Sequence, residues 1–130
     1  MPTIFSKIIA WEIPCYKIYE DENIFAFLDI HPHTLGHTLI VPKIEIDNFI
    51  DVPEPYYSAV FQTAKKLAPA LQKATNCKRV GALIIGLDVP HFHYHLIPIQ
   101  QASDMEGASA HTETPEAMQA IQQTIISYIA

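Results

Sequence analysis

Apolar and polar positions change period several times along the chain, and each change marks a predicted element. Residues 3–11 set Ile4, Phe5, Ile8, Ile9 and Trp11 at helical spacing, and Pro14 closes the pattern. Cys15–Glu20 and Asn23–Asp29 read as two short strands around the turn-like Glu20-Asp21-Glu22-Asn23. His31–Gly36 is a connection leading into an apolar strand over His37–Pro42, and a short helix is expected over Glu45–Ile50. The longest helix is expected from about Glu54 to Thr75, with Tyr57, Val60, Phe61, Ala64, Leu67, Ala68 and Leu71 in one stripe. Pro69 falls inside it; an interior proline removes a backbone hydrogen bond and costs about 3 kcal/mol, which predicts a kink. Val80–Leu87 and His91–Ile99 are strand-like, while Gln101–Glu113 is polar and lacks periodicity. Thr114-Pro115 then caps a closing amphipathic helix that carries Met118, Ile121, Ile125 and Ile129.

This order predicts an α+β fold: a mainly antiparallel five-stranded sheet, a long helix packed on it, and helices covering one face. With 130 residues and no repeat or linker, the chain reads as one domain, 1–130. Eight Lys+Arg against 14 Asp+Glu give a net charge of −6, which argues against a general nucleic-acid binder. Cys15 and Cys77 are too few for a disulfide framework. No apolar run approaches the roughly 18 residues of a membrane span, and the first residues lack the pattern of a signal peptide. The expectation is a soluble cytoplasmic protein with no membrane partner.

Four isolated glycines exclude any glycine-rich phosphate loop. Seven histidines point elsewhere, because His31, His33 and His37 form one cluster and His91, His93 and His95 another. Successive side chains of a strand point to opposite faces, so His91, His93 and His95 would stand in a row about 6.6 Å apart. Phe92, Tyr94 and Leu96 would pack under a helix. Three aligned imidazoles could be hydrogen-bonded surface groups, metal ligands, or a nucleophile with acid/base partners. Metal sites usually draft a further Cys, His or carboxylate; here there is no CxxC or HExxH, and the next acidic residue is Asp104. A neutral imidazole nitrogen can instead attack phosphorus while its other N–H is held by an acceptor.

His91-Phe92-His93-Tyr94-His95-Leu96-Ile97 resembles the HφHφHφφ signature (φ apolar) of the histidine triad, or HIT, superfamily. Ile4–Ile9, Glu12–Cys15 and Tyr19–Asp21 are similar to the family's opening. Phe25–Pro32 and Gly36–Lys43 continue it in the same order. The resemblance runs from Ile4 to Pro98, which makes about 4–98 the expected core and 101–130 a C-terminal loop and helix. It implies a homodimer that hydrolyses or transfers nucleotides through a nucleotidyl-histidine intermediate at the α-phosphate. His93 would be the nucleophile. His91 and His95 would hold the phosphate, with His37 and Asp88 nearby. Asp29 would take the ribose hydroxyls, and Phe5, Ile8, Phe27 and Ile30 would line the base pocket. Nucleoside phosphoramidates and dinucleoside polyphosphates are the implied substrate classes, with no cofactor.

Three departures qualify the resemblance. Gly86-Leu87-Asp88 stands where family members carry Gly-Gln-Thr/Ser, so Leu87 cannot donate to a phosphate. Asp88 would bring like charge to it, a repulsion of about 4 kcal/mol at 4 Å and an effective dielectric near 20. The loop between the last two strands is shortened to Ile84-Ile85-Gly86. Zinc-binding members place cysteines where Thr3 and Ser6 stand and a histidine where Glu45 stands, so no structural zinc is expected. The alternative reading is a non-catalytic nucleotide-binding or regulatory module; a metal-dependent hydrolase on the same histidines is the third.

Overall fold

Residues 24–28 are buried throughout, and their alternation divides the protein's apolar interior in two. Ile24, Ala26 and Leu28 join one cluster with Val60, Leu67, Leu71, Met118, Ile121 and Ile125. Phe25 and Phe27 join the other, with Phe5, Ile8, Leu39 and Val41. A fully buried strand of this kind is covered on both faces. The computed structural model describes residues 2–129 and shows what covers it.

The elements are α1 (Ile4–Ile9), β1 (Lys17–Glu20), β2 (Ile24–Leu28), β3 (Thr38–Pro42), α2 (Tyr56–Thr75), β4 (Arg79–Leu83), β5 (Tyr94–Ile99) and α3 (Pro115–Ser127). The strands form one antiparallel sheet in the order β1-β2-β3-β5-β4. The α+β architecture expected from the sequence is therefore present, but the helices take both faces. α2 and α3 lie on one, and α1 packs Phe5 and Ile8 on the other, against β2 and β3. α1 is capped by Thr3, whose hydroxyl accepts the Ser6 N–H, and α3 by Thr114, which accepts from Ala117.

Several boundaries differ from the sequence reading. β4 stops at Leu83 rather than Leu87, and β5 begins at Tyr94 rather than His91. The helix expected over 45–50 is replaced by a loop and a single 3-10 turn at Phe49–Asp51. α2 continues through Pro69 over its full 20 residues. Pro69 is exposed, and the carbonyl it leaves without an N–H partner belongs to Lys65, also at the surface where water can reach it. The C-terminal end of α2 meets the connection before β3 at Gly36, whose φ is +101°. A Cβ there would lie 3.0 Å from Thr75 Cγ2 and 3.3 Å from Pro98 Cγ, so only glycine fits both the backbone and the space.

Candidate functional site

Across the β3–β5 pair, Leu39 stands opposite His95 and Ile40 opposite Tyr94. Directly opposed residues share a face, which puts His95 on the α1 side of the sheet. Leu96 and Phe92 are buried on the α2 side, and the Tyr94 ring lies 5.0 Å from Phe61 of α2. The alternation read from the sequence thus sorts the side chains correctly. His91 and His93 nevertheless precede the sheet. The Phe92 N–H donates to the carbonyl of Ile46 at 2.6 Å and the His91 N–H to that of Val89 at 2.8 Å, so this stretch is tied to loops.

Fixed donors and acceptors assign the proton on each buried imidazole. His93 Nδ1 lies 2.7 Å from the main-chain oxygen of His91, which can only accept. Nδ1 therefore carries the proton and Nε2 is a free lone pair. His91 Nε2 faces the carbonyl oxygen of Pro42 at 2.9 Å and donates to it, which leaves Nδ1 to accept from the Thr3 hydroxyl at 2.8 Å. His37 Nδ1 accepts the main-chain N–H of His33 at 3.0 Å, so its Nε2–H donates to His95 Nδ1 at 2.9 Å. In neutral His95 the proton is then on Nε2. The rings of His93 and His95 are 5.1 Å apart, and Phe5 lies edge-on 5.0 Å from His93 and 5.8 Å from His91.

Burial disfavours the charged form of His37, His95 and His91. It pushes His37 down to about 3, with His95 and His33 adding to the shift. His95 falls to about 4 for the same reason, helped by His93 and His33. Burial also lowers His91, against the opposing effects of the Pro42 carbonyl and Glu45.

Asp29, His37 and His95 offer ligand atoms within 4.8 Å of one another, the set among the described residues best placed for a metal. Its chemistry fits one poorly. The His33 N–H occupies Nδ1 of His37, and the remaining proton sits between His37 and His95, where an ion would need lone pairs. Thr3, Ser6 and Glu45 likewise form a hydrogen-bonded group with His91, and two neutral hydroxyls are weak zinc ligands.

The other sequence-predicted residues are distributed around this centre. Phe5, Ile8 and Phe27 are buried together beneath α1, whereas Ile30 is 59% exposed beyond the end of β2. Asp29 is half-buried, with one carboxylate oxygen taking the His31 N–H at 2.9 Å and the other 3.7 Å from His37 Nε2. A cleft of about 310 Å³ has His93 in its lining, together with Phe49, Ile85 and Leu87 and, beside them, Asp47 and Asn48. Asp88 is exposed and outside that lining, so at the dielectric of bulk water its repulsion of an anion about 4 Å away falls to about 1 kcal/mol.

Sequence reasoning missed two contributions. His33, which the sequence places only in the connection before β3, is half-buried with its ring 4.9 Å from His37 and its Nδ1–H on the Asp104 carbonyl. Thr3, Ser6 and Glu45 were read only as missing zinc ligands. The Thr3–Ser6 spacing signals a helix cap, but nothing local links either residue to Glu45, about forty positions away.

An antiparallel sheet carrying linked buried histidines on one face defines a histidine triad protein. The HIT domain family matches residues 10–102, and the chain belongs to that family. Protein hit of Bacillus subtilis is 36% identical over 136 residues, covering 98% of this chain and 94% of the relative. The adenosine 5'-monophosphoramidase HNT1 of Saccharomyces cerevisiae is 41% identical over 96 residues, 73% of this chain and 61% of that protein. The crystal structure of a Hit-like protein involved in cell-cycle regulation from Bartonella henselae superposes with a TM-score of 0.85 at 29% identity, over 96% of this chain and 94% of that one.

Proposed function

We propose that the protein cleaves nucleoside phosphoramidates, or transfers their nucleotidyl group, through a covalent bond to His93. The observation that carries this reading is the His93 tautomer: with Nδ1–H held by the His91 carbonyl, the bare Nε2 belongs to a side chain that lines the cleft. Nε2 attacks the α-phosphorus, the phosphorus–nitrogen bond breaks, and the amine departs with a proton. Water then attacks phosphorus and returns the electron pair to Nε2. His95, whose Nε2–H is set by His37, serves as donor to a phosphoryl oxygen or the leaving group.

Asp29 binds the ribose hydroxyls in this reading, and Phe5, Ile8, Phe27 and Ile30 form the base-binding wall. His91 and His37 organise the phosphate site. The yeast relative's name supports phosphoramidates over dinucleoside polyphosphates. A homodimer belongs to the same reading, since β4 is an unpaired edge strand; sedimentation separates it from a 14.6 kDa monomer. The test is release of amine from adenosine 5'-phosphoramidate by wild type and by His93→Ala. Turnover abolished by the substitution supports the reading, and equal rates overturn it.

One observation favours a second reading, a module that binds nucleotides without turnover. Leu87 is 88% exposed and lines the cleft where a phosphate would need donors. That reading predicts binding lost in Asp29→Ala, kept in His93→Asn, and no amine released by either.

A further inference from the structure

Glu45 is exposed and lies in the loop after β3, yet its carboxylate organises buried groups. One oxygen, Oε1, accepts the main-chain N–H of Thr3 at 3.1 Å and the hydroxyl of Ser6. Thr3 and Ser6 are further joined, because the Ser6 N–H donates to the Thr3 hydroxyl at 3.0 Å. The Thr3 hydroxyl lies 3.1 Å from Ser6 Oγ and 2.8 Å from His91 Nδ1, across 88 residues of sequence, and Nδ1 accepts its proton because Nε2–H of that ring is committed to the Pro42 carbonyl. On the far side of the ring, Nε2–H donates to Pro42, immediately after which the chain continues to Glu45. His91 is thus held at both nitrogens, and its own carbonyl holds Nδ1–H of His93.

We propose that Glu45, acting through Ser6 and Thr3, is a positioning residue for the reaction: it fixes the orientation and tautomer of His91 and so aims Nε2 of His93. Thr3 and Ser6 are the connecting hydroxyls, and none of the three touches the reacting phosphorus. The kinetic consequence rests on the function proposed above; the structural one does not. Polar links of this kind act on geometry. Misplacement of a reacting group by about 1 Å costs on the order of 100-fold in rate. Loss of the Glu45 carboxylate shifts the aim of His93 through His91 while the Thr3 cap of α1, the helix that carries Phe5 and Ile8, remains in place. The effect should therefore fall on kcat.

The experiment compares wild type with Thr3→Val, Thr3→Ser and Glu45→Ala. It records imidazole nitrogen NMR spectra and the kinetics of adenosine 5'-phosphoramidate hydrolysis. The expected result is a His91 Nδ1 resonance that moves to the position of a nitrogen without a hydrogen bond in Thr3→Val. In Glu45→Ala it should move the same way, and in Thr3→Ser it should stay at the wild-type position. Kinetically, kcat falls about 10-fold to 100-fold in Thr3→Val and Glu45→Ala, with KM within about twofold in Glu45→Ala, which keeps the α1 cap, and Thr3→Ser restores kcat. If Thr3→Val does not fold, the exposed Glu45→Ala carries the comparison alone. Unchanged His91 and His93 resonances in Glu45→Ala overturn the positioning role, as does wild-type kcat. Variants that move the resonances as expected, alongside a wild type that never turns over the phosphoramidate, overturn the proposed function and leave the clamp standing.

Discussion

His37 Nε2 donates to His95 Nδ1 at 2.9 Å, joining the residue just before β3 to the last histidine of the run. The bond dictates where the His95 proton sits, because His37 is itself fixed by the His33 N–H. Replacing His37 with leucine removes that constraint and lets His95 adopt either tautomer. The expected outcome is a fall in kcat of about 10-fold to 100-fold with little change in KM, measured by phosphoramidate hydrolysis. A wild-type kcat in His37→Leu would show that the His95 tautomer does not matter to the reaction.

Stability should depend on pH in a direction set by the same burial. The folded-state values of His37 and His95 are lowered from 6.5, to about 3 and about 4. Below about pH 6.5 the unfolded chain takes up protons at both sites while the folded chain does not. Proton uptake then favours unfolding, and the loss of stability grows until the folded-state values are reached. Urea unfolding at about pH 7.5 and about pH 5 should show a lower midpoint in acid. His37→Leu should show a smaller drop between the two, and an equal drop would place the acid sensitivity elsewhere.

Cys15 is half-buried, and desolvation pushes its thiol up to about 11, opposed by Lys17 and helped by Glu20. At about pH 8 it is almost wholly protonated, and the thiolate is the reactive form. A disulfide reagent should modify folded Cys15 much more slowly than free cysteine, with Cys77 buried and slower still. Both should react at the free rate in urea. A folded thiol reacting as fast as free cysteine would contradict this placement.

Gly36→Ala meets both a φ of +101° and a contact of 3.0 Å with Thr75. The substitution should destabilise by about 1–3 kcal/mol, read as a lower urea midpoint. Because the same connection carries His33 and His37, amide exchange at His37 should quicken as well. A wild-type midpoint would mean that the α2–β5 junction relaxes around the added methyl.

The histidine run shows what sequence periodicity carries and what it does not. Alternation correctly separated Phe92, Tyr94 and Leu96 from the imidazoles, because side-chain facing persists in extended chain whether or not it is paired. It could not reveal that His91 and His93 precede the sheet, since that follows from the Phe92 N–H reaching Ile46 rather than a strand partner. The apolar run Ile84-Ile85-Gly86-Leu87 looked like sheet for the same reason. Its partner strand ends with the Leu83–His95 pair, and the run continues as cleft wall. Expecting helices on one face overlooked that Phe25 and Phe27 need cover, which α1 provides. The links from His37 to His95 and from Glu45 to Thr3 span 58 and 42 residues and leave no local trace.

The most direct test of the account is the bond it assigns to His93. Wild-type protein is mixed with adenosine 5'-phosphoramidate, quenched within the first turnover under mildly basic conditions that preserve a phosphorus–imidazole bond, and weighed intact. The predicted result is a species heavier by one adenylyl group, mapped to His93 by fragmentation and absent from His93→Ala. Amine release without any adduct, at the same rate in wild type and His93→Ala, would contradict it.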